Sequence, residues 1–326
     1  MEATPWFVGG GAQHSPEVAR LLAYGALGGA AGIVEPGGLK VAPLAVPGTS
    51  VRVLPGAASV LNRYPGGGQQ AYLVRNPVAE EVPVTATGSS GGRSDLLVAR
   101  VLDPQYEGAA PSDPNAFQYA RVTKIEGVPA SAIASSAAAV AYCEGLTYPA
   151  EPLAGLTLPA STATVTAAMI RDLRRLARPR TRRLVEMGGP AANVALTNAG
   201  GVRWPSYAPA IEIPAWATHV SVVATIASIG YQNGSVAGTL AVALGAAGPN
   251  QWRSSNTQYD LDVAVGDGAR TTLVIGGKGA LPAAYRGTTQ TLAIEGKRDA
   301  FTGSGALITR AGTHVVFDVQ FEERAV

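Results

Sequence analysis

Residues Thr313–Glu323 read THVVFDVQFEE. Val315, Phe317, Val319 and Phe321 fall on one side of an extended chain, and Asp318, Gln320 and Glu322 on the other. That period of two predicts a half-buried strand. The same texture recurs upstream. HVSVVATIASI, GTLAVALG, YDLDVAV, RTTLVIGG and QTLAIEG form a strand-rich block over residues 187–326, read as a jelly-roll-like sandwich. A second block over residues 31–158 holds LKVAPLAV, SVRVLPG, AASVLN, QAYLVRN, VPVTAT, DLLVARVLD and FQYARVTKI, with Pro-Gly, Asn-Pro and Gly-Gly turns between them. Helices do not alternate with these strands, which disfavours a doubly wound parallel sheet and favours an antiparallel sandwich or barrel.

Two helices are predicted. HSPEVARLLAYGAL has Ser15 for an N-cap, Pro16 at the first helical position, a stripe of Val18, Leu21 and Leu22, and Gly28–Gly29 as a stop. Residues 1–30 thus read as an arm and a helix, with the apolar Trp6, Phe7 and Val8 in the arm as docking residues. Between the blocks, residues 159–186 predict a connector helix capped by Thr166 and ended by Pro179. Its Met169, Ile170, Leu173 and Leu176 share the spacing of one apolar face, the expected seam of a homotrimer. The fold class is therefore mainly β: two antiparallel β domains joined by a short α-helix.

Composition bounds the function. The chain has 326 residues, 47% of them apolar and 15% charged, with a net charge of +2. That balance predicts a folded protein with no general attraction to nucleic acid. No uninterrupted apolar stretch is long enough to span a bilayer, and the N-terminus lacks a signal-peptide pattern. Cys143 is the single cysteine, so no internal disulfide forms, and it reads as a small buried hydrophobe. Arg171, Arg174, Arg175, Arg178, Arg180, Arg182 and Arg183 cluster without interleaved aromatics, which favours an interface over a nucleic-acid site.

No catalytic constellation stands out. GSSGGRSDLLVARV (residues 88–101) is followed by a strand and has no Lys-Ser or Lys-Thr after its glycines, so it is neither a phosphate loop nor a nucleophile elbow. It reads as a hairpin connection in which Arg93 and Asp95 project to one face and pair, and Leu96–Ala99 enter a strand buried on both sides. His14, His219 and His314 are scattered, so no metal is expected. Asp260, Asp262 and Asp267 suit either a solvated strand end or calcium, and are the only carboxylate group that invites glycoside hydrolysis. No cofactor is expected. Trp252, in a loop with Arg253 and Asn256, and the nearby Tyr259 and Tyr231, offer stacking faces and hydrogen-bonding groups for a glycan.

SVRVLPGAASVLNRY, YLVRN, ATGSSGGRSDLLVARVLDP and TVTAAMIRDLRRLARP, in that order, resemble minor tail or baseplate proteins of long-tailed phages infecting actinobacteria. The ending TLAIEGKRD...THVVFDVQFEE is similar to the C-terminal sandwich of some of them. The Arg-rich, Lys-poor composition accords with a GC-rich genome. The resemblance implies a non-enzymatic virion component of the tail tip, commonly homotrimeric, docked on other tail-tip proteins through its first β domain and facing the host with its second. The alternative from another class is a cell-wall or capsule polysaccharide hydrolase.

Overall fold

The computed structural model describes residues 15–299 and 305–326. Strands take 43% of the described residues and helices 10%, so the fold is mainly β. It divides into two compact units, one running to Arg178 and including Ala325–Val326, the other Pro179–Arg324.

The first unit begins with α1 (Pro16–Leu27) and β1 (Gly32–Ile33), followed by β2 (Val41–Pro43), β3 (Ser50–Val53), β4 (Gly56–Leu61), β5 (Ala71–Asn76), β6 (Glu80–Pro83), β7 (Arg93–Val101) and β8 (Ala120–Ile125). It closes with α2 (Ser136–Glu144), β9 (Ala150–Leu158) and β10 (Ile170–Asp172). Three antiparallel sheets result, ordered β1-β4-β5, β2-β3-β6 and β10-β9-β7-β8. β7 explains the arrangement. Leu97 and Ala99 enter one core with Val51, Val53 and Leu153. Leu96 and Val98 enter a second core beneath α2 with Ala139 and Cys143. A strand covered on both faces needs no alternation, and Leu96 to Val98 are fully buried.

α1 starts as its sequence dictates. Ser15 Oγ accepts from Val18 N at 3.4 Å, and Gly28 ends the helix at φ 62°. Its buried face is Val18 and Arg20, whereas Leu21 and Leu22 are exposed. Arg20 is held by Gln70, Asp103 and Gln105 and lies over the rings of Tyr72 and Tyr106.

The predicted connector helix does not form. Ala167–Met169 is one 3-10 turn, and the chain then runs extended as β10, pairing Ile170 with Leu156. The reason lies in Leu173 and Leu176. They enter different cores, the one beneath α2 and the one shared with Ile33. Three residues apart, they point to opposite sides of an extended chain but to one side of a helix. Met169 and Ile170 pack against the same core as Leu176. Leu173 and Leu176 are buried and Met169 and Ile170 half-buried within one chain, and no helix presents them, so the expected helical seam does not form. Nor is GSSGG a hairpin: β6 and β7 belong to different sheets, and the stretch links them.

The second unit contains β11 (Thr181–Gly188), β12 (Ala195–Leu196), β13 (Val202–Arg203), β14 (Ala210–Glu212), β15 (His219–Gln232), β16 (Val236–Leu244), β17 (Trp252–Arg253), β18 (Thr257–Leu261), β19 (Gly268–Ala280), β20 (Thr289–Arg298), β21 (Ala306–Ile308) and β22 (His314–Glu322). One sheet centres on β15. That strand pairs with β19 on one edge, and with β22 and then β21 on the other, with β11 outside β22. The other sheet centres on β16 and β20. Val315, Phe317, Val319 and Phe321 of β22 are fully buried against both sheets, which makes the unit a two-sheet sandwich.

Candidate functional site

Trp252 and Tyr259 are buried, at 6% and 5% exposure, and belong to the sandwich core. β17 pairs with the end of β16, so Trp252 turns inward and Arg253 outward. Arg253 is held by Glu295 at 2.9 Å, and Gln251 donates to the same carboxylate. Ser254 Oγ accepts from Val242 N at 2.9 Å. The polar neighbours of Trp252 are thus tied to the sheet, and the ring has no free face for a sugar. Tyr259 donates to Lys297 O at 3.1 Å, and burial pushes its phenol up to about 12. Tyr231 is half-buried on the other sheet, opposite Ala269 and Leu307. Asn256 is exposed. The predicted stacking site does not assemble from these five residues.

The arginine cluster is likewise absorbed inside the chain. Arg171 donates to Ala134 O, Arg175 pairs with Glu151, and Arg178 reaches Ala26 O. Arg174, its side chain fully buried, pairs with Asp172 and donates to Gly38 O and Val326 O. In the second unit Arg180 pairs with Glu323 and lies over Trp216, while Arg182 meets Glu212 and Arg183 meets Asp318. Partners such as Glu323, whose carboxyl the Arg180 hydrogen bonds hold below its usual range despite burial, lie far along the chain.

Arg93 and Asp95 pair as their spacing predicts. Arg93 Nε meets Asp95 Oδ1 at 2.7 Å and Nη2 meets Oδ2 at 2.9 Å. Asp95 is fully buried and also accepts from Gly127 N at 3.0 Å. Gly92 is required beside them, because a Cβ there would lie 2.7 Å from Leu158 O. Cys143 is buried, and its thiol is pushed up to about 12 by burial. Among the described residues no group of three His, Cys, Asp or Glu forms a metal-binding arrangement, and Asp260, Asp262 and Asp267 are exposed. Trp6, Phe7 and Val8 lie outside the described residues.

The surface feature that sequence reading missed is the outer face of the β15 sheet. Register places Val185 opposite Asp318, Asp318 opposite Val223, and Met187 opposite Val316. Val316 is opposite Thr225, and Thr225 opposite Val274. Directly opposed residues share a face. Val185, Met187, Val223 and Val274 are 54%, 65%, 46% and 58% exposed. Arg183 and Asp318 on this face pair through contacts of 2.6 and 2.7 Å, and register also places the exposed Lys278 and the half-buried Glu322 on it.

No family model and no curated protein matches the chain. Solved structures with some likeness include infectious bursal disease virus, Gx strain, at 12% identity and TM-score 0.24, covering 91% of this chain and 73% of that one. The VP2 subviral particle of the same virus gives 11% identity, TM-score 0.27, and 91% and 72% coverage. The insecticidal delta-endotoxin Cry8Ea1 of Bacillus thuringiensis gives 11%, 0.21, and 91% and 52%. Likenesses of this order establish neither a shared fold nor a shared role.

Proposed function

We propose that the chain is a non-enzymatic structural component of a virion, set at the tail tip of a long-tailed phage and contributing to host attachment. The observation that carries this reading is the exposed apolar face of Val185, Met187, Val223 and Val274. The sequence resemblance around Arg93 and Asp95 supplies the tail-tip context. The occupant of that face is a second copy of the chain. Its Arg183–Asp318 pair is internal, and Lys278 and Glu322 on the same face carry opposite signs, so a copy presents no single-sign field to itself.

Such a patch is on the order of a few hundred Å², short of the ~800 Å² a side typical of a stable two-chain interface. It therefore suits a weak contact repeated in an assembly, as in a trimer held within a larger particle. Host attachment falls to exposed loops of the second unit around residues 246–250 and 264–267, because binding groups gather on loops held by rigid sheets.

Light scattering on the full chain tests self-association. Mass rising with concentration toward a multiple of the chain, most simply three, and lost in Val223→Lys, supports it. A concentration-independent monomer contradicts it. Incubation with host cell walls should retain protein and release no soluble sugar; sugar release would instead favour a hydrolase.

A further inference from the structure

β5 and β8 are edge strands of two different sheets in the first unit, and neither has a further strand paired to it among the described residues. β5 hydrogen-bonds only to β4, and β8 only to β7. Both border one gap. A cavity of about 130 Å³ lies between Val74 of β5 and Val122 of β8, with Leu39 and Ala99 in its wall. A second, of about 300 Å³, shares Val74 and Ala120 and continues to Ala19 and Ala23 of α1. Glu80, at the start of β6, borders the opposite end.

Strand alternation sorts the residues of this gap. Val122 pairs with Ala99 across β8 and β7, and Val74 and Val122 pack against the core containing Ala99. Arg75 and Arg121 are each one position away along their strands and so project to the other side. Both are exposed, and neither side chain has an ion pair or hydrogen bond among the described residues. An unpaired edge is ordinarily a liability that a fold covers. Here two of them flank an apolar floor, with Arg75 and Arg121 along the two strands and Glu80 at one end.

We propose that this gap receives one extended segment of a partner polypeptide, apolar at alternate positions and acidic at the positions between. Its backbone pairs with the free edges, the mode of β-strand addition. Its apolar side chains lie over Val74, Ala99 and Val122. Its carboxylates stand beside Arg75 and Arg121, where opposite charges on neighbouring strands are favourable. The site lies wholly in the first unit and does not depend on the role given to the β15 sheet.

The test uses the full chain and three labelled seven-residue peptides: alternating Val and Glu, alternating Val and Lys, and the Val–Glu peptide N-methylated at alternate residues. Fluorescence anisotropy should show saturable binding of the Val–Glu peptide, at least tenfold tighter than Val–Lys, with the N-methylated form at least tenfold weaker. Arg75→Gln combined with Arg121→Gln should weaken Val–Glu binding at least fivefold, with an unchanged circular dichroism spectrum confirming the fold. No saturable binding, or equal binding of the Val–Glu and Val–Lys peptides, overturns the proposal. So does a disulfide between Leu73→Cys and Val8→Cys, within one chain or between two copies, because the chain's own segment would then fill the gap. Buried Cys143 stays out of that reaction.

Discussion

Arg93 grips Asp95 with two hydrogen bonds, of 2.7 and 2.9 Å, although the residues are only two apart on one strand. Arg93 also donates to Thr85 O, and Asp95 accepts from Gly127 N. The pair therefore fastens the entry of β7 to the segments before and after it. Removing Asp95 leaves the Gly127 N–H without its acceptor and takes two hydrogen bonds from the Arg93 guanidinium, which keeps only Thr85 O and the Glu126 carboxylate at 3.8 Å. Asp95→Ala should cost about 3 kcal/mol, within the range for breaking a buried pair from one side. Urea unfolding followed by circular dichroism checks this, and a midpoint equal to wild type would refute it.

Glu126 lies beside this network, 2.7 Å from Lys124 and accepting from Thr85 Oγ1 at 2.6 Å. The Lys124 and Thr85 hydrogen bonds hold its carboxyl down at about 2. A depressed folded-state value contributes stability above the unfolded carboxylate range, and that contribution disappears as pH falls toward 2. Glu126 is 41% exposed, so solvent screening limits the effect to a few tenths of ~1 kcal/mol. Glu126→Gln should be slightly less stable than wild type at pH 6, and the two should converge near pH 2. A gap that widens in acid would have the wrong sign.

Leu173 is 1% exposed in the core beneath α2. Leu173→Asp should unfold the first unit, because a carboxylate there loses its hydration without a partner. Leu173→Ala should cost about 2–5 kcal/mol and leave the mass of the assembly unchanged. Light scattering and thermal melting on the same sample separate the outcomes. Loss of mass at an unchanged melting temperature would restore the seam that the extended chain removes.

Trp252→Ala should behave as a core deletion, costing about 3–5 kcal/mol, with no separate effect on retention by host walls at temperatures where the variant is folded. Gly277 supports the same packing, since a Cβ there would lie 2.4 Å from Ser254 Cβ. Gly277→Val should therefore destabilise the same edge. Selective loss of retention by folded Trp252→Ala would return the ring to the binding surface.

The parts legible in sequence were those where one local signal acted alone. The alternation in Val315–Phe321 gave β22 its faces, Ser15 and Gly28 bounded α1, and the Arg93–Asp95 spacing predicted their pair. The errors came where two structures share one pattern. Leu173 and Leu176 satisfy a helical stripe, but the same residues serve two cores when the chain is extended. Trp252 sits among polar residues because Arg253 and Ser254 bond to the sheet around it, which local composition does not distinguish from an open loop. α2 was hidden in an alanine-rich stretch whose cap, Ser135 Oγ accepting from Ala138 N, was its one start signal. The face of Val185, Met187, Val223 and Val274 joins three strands distant in sequence, so only strand register brings it together.

Gold-labelled antibody against the second unit, applied to intact particles purified from a lysate in which the chain is made and viewed by electron microscopy, tests the central claim most directly. A virion structural protein of the tail tip predicts label on the distal end of the tail of most particles. Particles without label, with the chain recovered only from the lysate of infected cells, would contradict it.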